Sequence, residues 1–331
     1  MTTELNTADR SRSSTLDAQS SLVRLEQAAD VHYPRLLRSV LPQSLKDALR
    51  ELRGQALAYL AMRQLPRDRV FEQSVEDAEA SSVLSIIVPV HDAPEVTERC
   101  LKSLERYAPN AEVILVDDGS KLEETRILLK DFAARRGWKL IHNATPLGHS
   151  EASRVGASSA TKPYLCLLNS DTVVTPWCWR LIVQAFKDDS KIGAAGPSTS
   201  HGGMQTIPLA QFARHYLNDS QICAYAQRLL AGSSGPILSD IYAVIGFAFF
   251  IKRDIWEQLD GFDRKLPDYG NEIELCKRIQ GLGYRVVWVR NAYIHHLAGV
   301  SYSKLIGHAA ILARHKSAHD YILKKHSMET P

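Results

Sequence analysis

The chain has 331 residues, 45% hydrophobic and 23% charged, an ordinary globular composition that at about 150 residues per domain suits two units or one large domain with an appendage. Lys and Arg total 40 against 37 Asp and Glu, and a net charge of +3 supplies no field that would gather nucleic acid. Five scattered cysteines without a C-x-x-C pair argue against a disulfide framework or a structural zinc site. With a polar start, Met1 to Thr15, and no apolar run near the ~20 residues of a membrane span, they predict a cytoplasmic protein.

Residues 1–20, rich in Ser, Thr and charge, are expected to be a disordered tail. Residues 21–82 are expected to form a helical extension and linker. Leu37, Val40 and Leu41 recur at helical spacing before Pro42, and Leu45, Leu49, Leu52, Ala56 and Leu60 share a second helical face. Between Val31 and Val70 eight basic residues stand against three acidic ones. Such helices either pack on a catalytic core or make a peripheral contact with the inner face of a membrane or a partner through residues 31–70. The acidic stretch Glu72 to Ser82 reads as the linker.

The texture then changes. Val83 to Val90 is a buried strand by its β-branched apolar run, and Val96, Cys100, Leu101 and Leu104 follow at helical spacing. Val113–Val116, Lys139–Ile141 and Tyr164–Leu168 read as further strands, with helices over Leu122–Phe132 and Ser150–Ala160. Buried strands alternating with helices predict an α/β fold with a mainly parallel sheet covered on both faces. Residues 303–331 are expected to add a C-terminal helix.

Ligands bind such sheets at the carboxyl ends of the strands. The second strand ends in Asp117-Asp118-Gly119-Ser120, and an ionised Asp accepts a hydrogen bond from a base N–H such as the imide of uracil or thymine. The same four residues also suit a plain turn. The fourth strand ends in Asn169-Ser170-Asp171, a place for a hard-cation ligand serving phosphates. The first strand leads into His91-Asp92-Ala93-Pro94 rather than G-x-G-x-x-G, which removes a dehydrogenase. The Gly-rich basic loop of a nucleotidyltransferase is missing from the same place.

Ser85-Ile-Ile-Val-Pro-Val90, Val116-Asp-Asp-Gly-Ser120 and Leu168-Asn-Ser-Asp171 resemble the opening landmarks of the family 2 glycosyltransferases. Later stretches agree in order: Leu147-Gly148, Gly193 to Pro197 with Gln205 and Pro208, Gly246 to Arg253, Gly261-Phe-Asp263, Tyr269-Gly-Asn-Glu272 with Cys276 and Arg278, Gly283-Tyr-Arg285, then His295-His296 and Ser301. The resemblance covers residues 83–302. It implies a GT-A catalytic domain (a nucleotide-diphospho-sugar transferase fold, Rossmann-like) that transfers a sugar with inversion from a UDP- or dTDP-sugar donor. The acceptor would be a hydroxyl on a glycan, a lipid-linked glycan or a protein, in polysaccharide or glycoconjugate biosynthesis.

By position the resemblance implies that Asp117 binds the base, that Asp118 lies near the ribose, and that Pro89, His91, Asn169 and Ser170 line the donor site. Asp171 would bind a divalent metal ion, Mn²⁺ or Mg²⁺, with His296 completing its shell, and a nitrogen ligand favours Mn²⁺. Glu272 would be the catalytic base. Neighbouring strand residues face opposite ways, so only one of His295 and His296 can enter the site, and His296 has the family's spacing to Ser301. Three departures stand out: His91-Asp92 replaces a common Tyr-Asn, Arg154 replaces a common Asn and would add charge beside the phosphates, and Asn271-Glu272 replaces an acidic pair. Glu274 is expected to matter less than Glu272. Trp177, Trp179, Phe247, Phe249 and Tyr269 either stack on acceptor sugars or fill the core. Asn271 motivates one rival reading, a catalytically degenerate sugar-nucleotide-binding or scaffolding subunit.

Overall fold

Four apolar runs of the sequence become the parallel strands β1 (Leu84–Val90), β2 (Glu112–Asp118), β3 (Lys139–Asn143) and β4 (Tyr164–Leu168), in the order β3-β2-β1-β4. The structure is a computed structural model that describes residues 52–56, 59, 60, 65–298 and 308–327. Helices α2 (Pro94–Tyr107), α3 (Glu123–Arg136) and α4 (His149–Ala157) make the crossovers. They cover both faces, so β1 is buried along its whole length. Its Ile86, Val88 and Val90 enter one core with Leu101 and Leu129, while Ile87 enters the other with Val116 and Ala152. Gly156 lets α4 lie close to the sheet, since a methyl there would overlap the Ile87 side chain.

The expected linker is not one. Residues 75–81 form α1 (Val75–Ser81), which packs on α5 (Cys178–Asp188). The first turn of α5 follows Trp177, which offers no side-chain cap. The fully buried Asp77 supplies one instead, accepting the Arg180 N–H at 3.0 Å and so satisfying a donor that a helix start leaves orphaned. Leu65 and Phe71 are also buried in the core. The basic helices expected over residues 31–70 lie mostly outside the described residues. Among those described, no helix is long and apolar enough to cross a membrane.

The second half extends the sheet with β8 (Ala248–Lys252) antiparallel to β4, then β6 (Ile192–Ser198), then β9 (Arg285–His296) parallel to β6. Two short strands, β5 (Thr172–Val174) and β7 (Leu238–Asp240), pair antiparallel with β9. Helices α6 (Pro208–Ala213) and α7 (Asp219–Leu230) fill the excursion between β6 and β7, and α8 (Arg253–Gln258) follows β8. The sheet is thus mainly parallel, with β8 and the short β5 and β7 reversed.

Helix α9 (Asn271–Gly281) follows a loop on which α10 (His308–Ser327) is clamped. Ala318 and Ile322 pack on Leu266 and Tyr269. Lys325 Nζ bridges Asp263 Oδ2 at 2.8 Å and Glu274 Oε1 at 2.6 Å, and the Tyr321 hydroxyl donates to Asp263. Burial pushes the Asp263 carboxyl up, but Lys325, the Lys265 N–H and Tyr321 outweigh it and hold the pKa at about 2, below the ordinary 3.8. A depressed carboxyl contributes stability that is complete above its unfolded value and lost as pH falls through the folded one. Residues 308–327 are therefore expected to become protease-accessible between about pH 4 and pH 2, before the parallel half of the sheet unfolds. Acid proteolysis with pepsin checks this, and a helix still protected at pH 2 would contradict the clamp.

Candidate active site

Asp117 and Asp118 remain within the ladder, paired with His142 and Asn143 of β3, and are only 3% and 4% exposed. Asp117 accepts the Ser120 N–H at 2.9 Å through Oδ1 and meets His142 Nδ1 at 2.8 Å through Oδ2. A surface groove of about 530 Å³ opens beside these two, walled by Leu140, Ile127, Arg126 and Lys130. Asp118 is spent on the turn after β3: it accepts from Asn143 Nδ2 and from the N–H groups of Leu147 and Gly148, all within 2.9 Å. It therefore sets where α4 begins. His91 caps the same strand end, its Nδ1 bonded to the Asp118 carbonyl at 2.8 Å. Pro89 lies one residue inside the end of buried β1.

Asp171 follows β4 after Asn169 and Ser170 and directly precedes β5. The β5·β9 register sets Thr172 opposite His296, which brings His296 Nε2 to 3.2 Å from Asp171 Oδ1. His295 goes the other way, bonded to the Tyr293 hydroxyl and the Arg214 carbonyl, and full burial pushes its imidazole down to about 3. His296 Nδ1 lies 2.6 Å from the His201 carbonyl, which can only accept, so Nδ1 carries a hydrogen. A protonated Nε2 donates to the Asp171 carboxylate, whereas a bare Nε2, as in a metal ligand, turns its lone pair on it. Two acceptors then converge, a pairing that needs a cation, and a backbone carbonyl on the far nitrogen is the usual support of a metal-binding histidine. Burial pushes the Asp171 carboxyl up, but the His296 hydrogen bond and charge outweigh it and hold it low. Asp171 and His296 thus fit a divalent cation. Among the described residues no third His, Cys, Asp or Glu joins them, so further ligands would be donor phosphate or water oxygens.

Glu272 opens α9 next to Gly246, just before β8. Only glycine fits at 246, because a methyl would overlap Glu272 Oε1. Desolvation there pushes the Glu272 carboxyl up to about 7, against the N–H groups of Glu272 and Gly246. Phe247, the next residue, stacks on His296 with ring centroids 5.5 Å apart, and its carbonyl accepts the Asn169 N–H. One short segment therefore touches the acid on one side and the Asp171–His296 pair on the other. Asn169 and Ser170 are half-buried beside it.

Other residues fall differently. Arg154, expected beside phosphates, ties α4 to the 260–262 turn: it donates to the Asp260 carboxylate at 2.9 Å and to the Asp260 and Phe262 carbonyls, so the donor site proposed below does without it. Asn271 donates to Ser150 Oγ at 2.7 Å in the core. Glu274, expected to matter less, is 0% exposed and binds Arg278 and Lys325. Trp179, Phe247 and Phe249 are buried core residues, while Trp177 and Tyr269 are half-buried. His149 went unnoticed in the sequence. It is the first residue of α4, where burial lowers its pKa against the carboxylates of Asp268, Asp171 and Asp118. Its position after Gly148, at a strand's carboxyl edge, was the available signal.

Comparison with known proteins agrees with this layout. Residues 85–228 match the family described as glycosyl transferase family 2. Over 235 residues the chain is 29% identical to the O-antigen biosynthesis protein RfbC of Myxococcus xanthus, covering 64% of this chain and 17% of that protein. The chain thus spans about a sixth of that relative's length. Among solved structures it resembles GalNAc-T7 with UDP, GalNAc and Mn²⁺ (TM-score 0.52, 19% identity, 78% of this chain and 52% of that one). It also resembles the mannosyltransferase PcManGT of Pyrobaculum calidifontis in complex with GDP-Man and Mn²⁺ (TM-score 0.50, 16% identity, 88% and 72% covered). Residues 85–228 thus resemble glycosyltransferase family 2, and the chain has a GT-A fold.

Proposed function

We propose that the chain is an inverting glycosyltransferase that moves a sugar from a UDP- or dTDP-sugar to a hydroxyl acceptor in the assembly of a surface polysaccharide or related glycoconjugate. The observation that supports this is the Gly246–Phe247 segment, whose glycine lies against Glu272 and whose phenyl ring stacks on His296, the partner of Asp171. Asp171 and His296 would hold a divalent cation, which when bound offsets charge developing on the leaving diphosphate. Asp117, with the adjoining groove, receives the base. Glu272 takes the proton of the acceptor hydroxyl as that oxygen bonds the anomeric carbon on the face opposite the departing nucleoside diphosphate. The configuration inverts. A carboxyl poised near 7 is half ionised at neutral pH, which suits a general base. The binding-only alternative rests on Asn271, whose Nδ2 donates to Ser150 inside the core.

Thermal shift with UDP, with and without Mn²⁺, tests the donor side, since a ligand that binds only the folded state raises its melting temperature. Mn²⁺ is expected to enlarge the UDP-induced shift in the parent. In Asp171→Ala the enlargement should vanish while the ligand-free melting temperature stays close to the parent's. Equal enlargement in both proteins would remove Asp171 from the site. Release of UDP or dTDP from a panel of UDP- and dTDP-sugars with hydroxyl acceptors then separates enzyme from binding subunit.

A further inference from the structure

Arg214 lies just past α6, in the excursion between β6 and β7. Its Nε donates to His215 Nε2 at 2.8 Å and its Nη1 lies 3.0 Å from His201 Nδ1. A guanidinium has no acceptor, so both imidazole nitrogens must be lone pairs. That fixes the chemistry of the cluster. Each neutral ring carries its hydrogen on the other nitrogen, His201 Nε2 or His215 Nδ1, and the three side chains together present N–H donors around one positive charge. No carboxylate pairs with Arg214 among the described residues, whereas Arg99, Arg154, Arg278 and Arg285 all have one. Burial and the Arg214 charge hold the His215 imidazole below its ordinary pKa, in keeping with a neutral ring.

The place matters as much as the chemistry. The His201 carbonyl is the group that orients His296, and the two rings are 6.0 Å apart. His201 and His215 are exposed and Arg214 half-buried, so the cluster faces solvent rather than serving the core. Arg214 offers its charge without a resident counter-ion, which is what an anion needs.

We propose that His201, Arg214 and His215 form an anion-binding subsite beside the Asp171–His296 pair, and that it receives the anionic group of the acceptor, a phosphate or a sugar carboxylate. The assignment to the acceptor rests on the transferase reading above, in which the cation held by Asp171 and His296 serves the donor diphosphate. The anion site itself does not.

The test measures binding of inorganic phosphate, of D-glucuronate and, separately, of UDP with Mn²⁺ to the full chain, to Arg214→Gln and to His215→Ala, following the histidine ring signals by NMR. Phosphate or glucuronate is expected to shift the His201 and His215 signals in the parent. Arg214→Gln should weaken that binding about tenfold or more, as expected for losing a charge-assisted hydrogen bond, with UDP affinity unchanged. Preference for phosphate indicates a phosphate-bearing acceptor, and preference for glucuronate an acidic sugar. If neither anion moves these signals, or both bind Arg214→Gln as they bind the parent, the subsite does not exist. If UDP affinity falls in step with phosphate affinity, the cluster serves the donor and the acceptor assignment is overturned. A parent that binds phosphate at the cluster but no UDP would refute the transferase reading while leaving the anion site standing. Both variants should melt near the parent, because the three side chains lie at the surface, and circular dichroism confirms that each is folded.

Discussion

Glu272→Gln is expected to slow sugar transfer by about 10²-fold or more, the usual worth of a general base, while donor affinity stays nearly unchanged. Glutamine keeps the size of the side chain and its seat against Gly246 but cannot take a proton. The pH dependence gives an independent check. A base works only when ionised, so the parent's rate should climb through its pKa of about 7 and level off above it. The variant should lose that limb. Stability should move in the opposite sense. A carboxyl whose folded pKa is raised from 4.5 to about 7 favours the protonated folded state, so the parent loses stability as pH climbs through that window. Glu272→Gln has nothing to lose there. It should melt above the parent at pH 8 and level with it at pH 4. Equal transfer rates for parent and variant on a genuine acceptor would exclude Glu272 as the base.

Glu274→Gln should act on the fold rather than the chemistry, at a cost of about 3 kcal/mol, the lower end of what breaking a buried ion pair costs. Glu274 is fully buried and accepts from Arg278 through both oxygens, with Lys325 Nζ 2.6 Å from Oε1. Removing its charge leaves two cations facing each other with no anion between them. Both keep some contact with solvent, which places the cost at the low end. Lys325→Met should cost much less, because the Arg278–Glu274 pair survives. Denaturant unfolding of the two variants checks the order, and the reverse order would mean that Lys325 rather than Arg278 is the main partner. The transfer rate of folded Glu274→Gln should stay within a few-fold of the parent's.

These two glutamates show what could be read from the residues and what could not. Apolar β-branched runs marked β1 to β4, and the acids at their ends stood out because polar groups that follow a buried strand have few structural reasons to be there. Glu272 and His296 were legible only through their order among neighbouring landmarks, since a lone Glu at a helix start is as readily explained by the helix dipole. The core-facing side of α9 is not the one its apolar residues alone would mark. Its buried positions are Asn271, Glu274, Leu275, Cys276 and Ile279, and periodicity counted from apolar residues alone passes over two polar ones whose partners lie in distant elements. The same blindness hid α1, whose buried residues are Asp77 and Ser81, and the Arg154 anchor to the 260–262 turn. A polar side chain declares its role only once its partner is in place, and for each of these the partner is remote in sequence.

The Asp171–His296 pair is joined through the three-residue pairing of β5 with β9, closed by the Leu297 N–H on the Asp171 carbonyl. The β5 residues are buried, and any local opening of so short a ladder costs no more than the free energy of global unfolding. Each such opening parts the carboxylate from the imidazole. A cation and diphosphate that bind only the closed form must draw on the closed fraction, so their apparent affinity is the intrinsic one scaled by that fraction. Packing changes far from the ligands, such as loosening Ser200, which brackets the His296 backbone with two hydrogen bonds, would then change donor affinity without touching the donor. Conversely, the bound donor would act as a latch, slowing local opening of β5 and β9 more than any other part of the sheet.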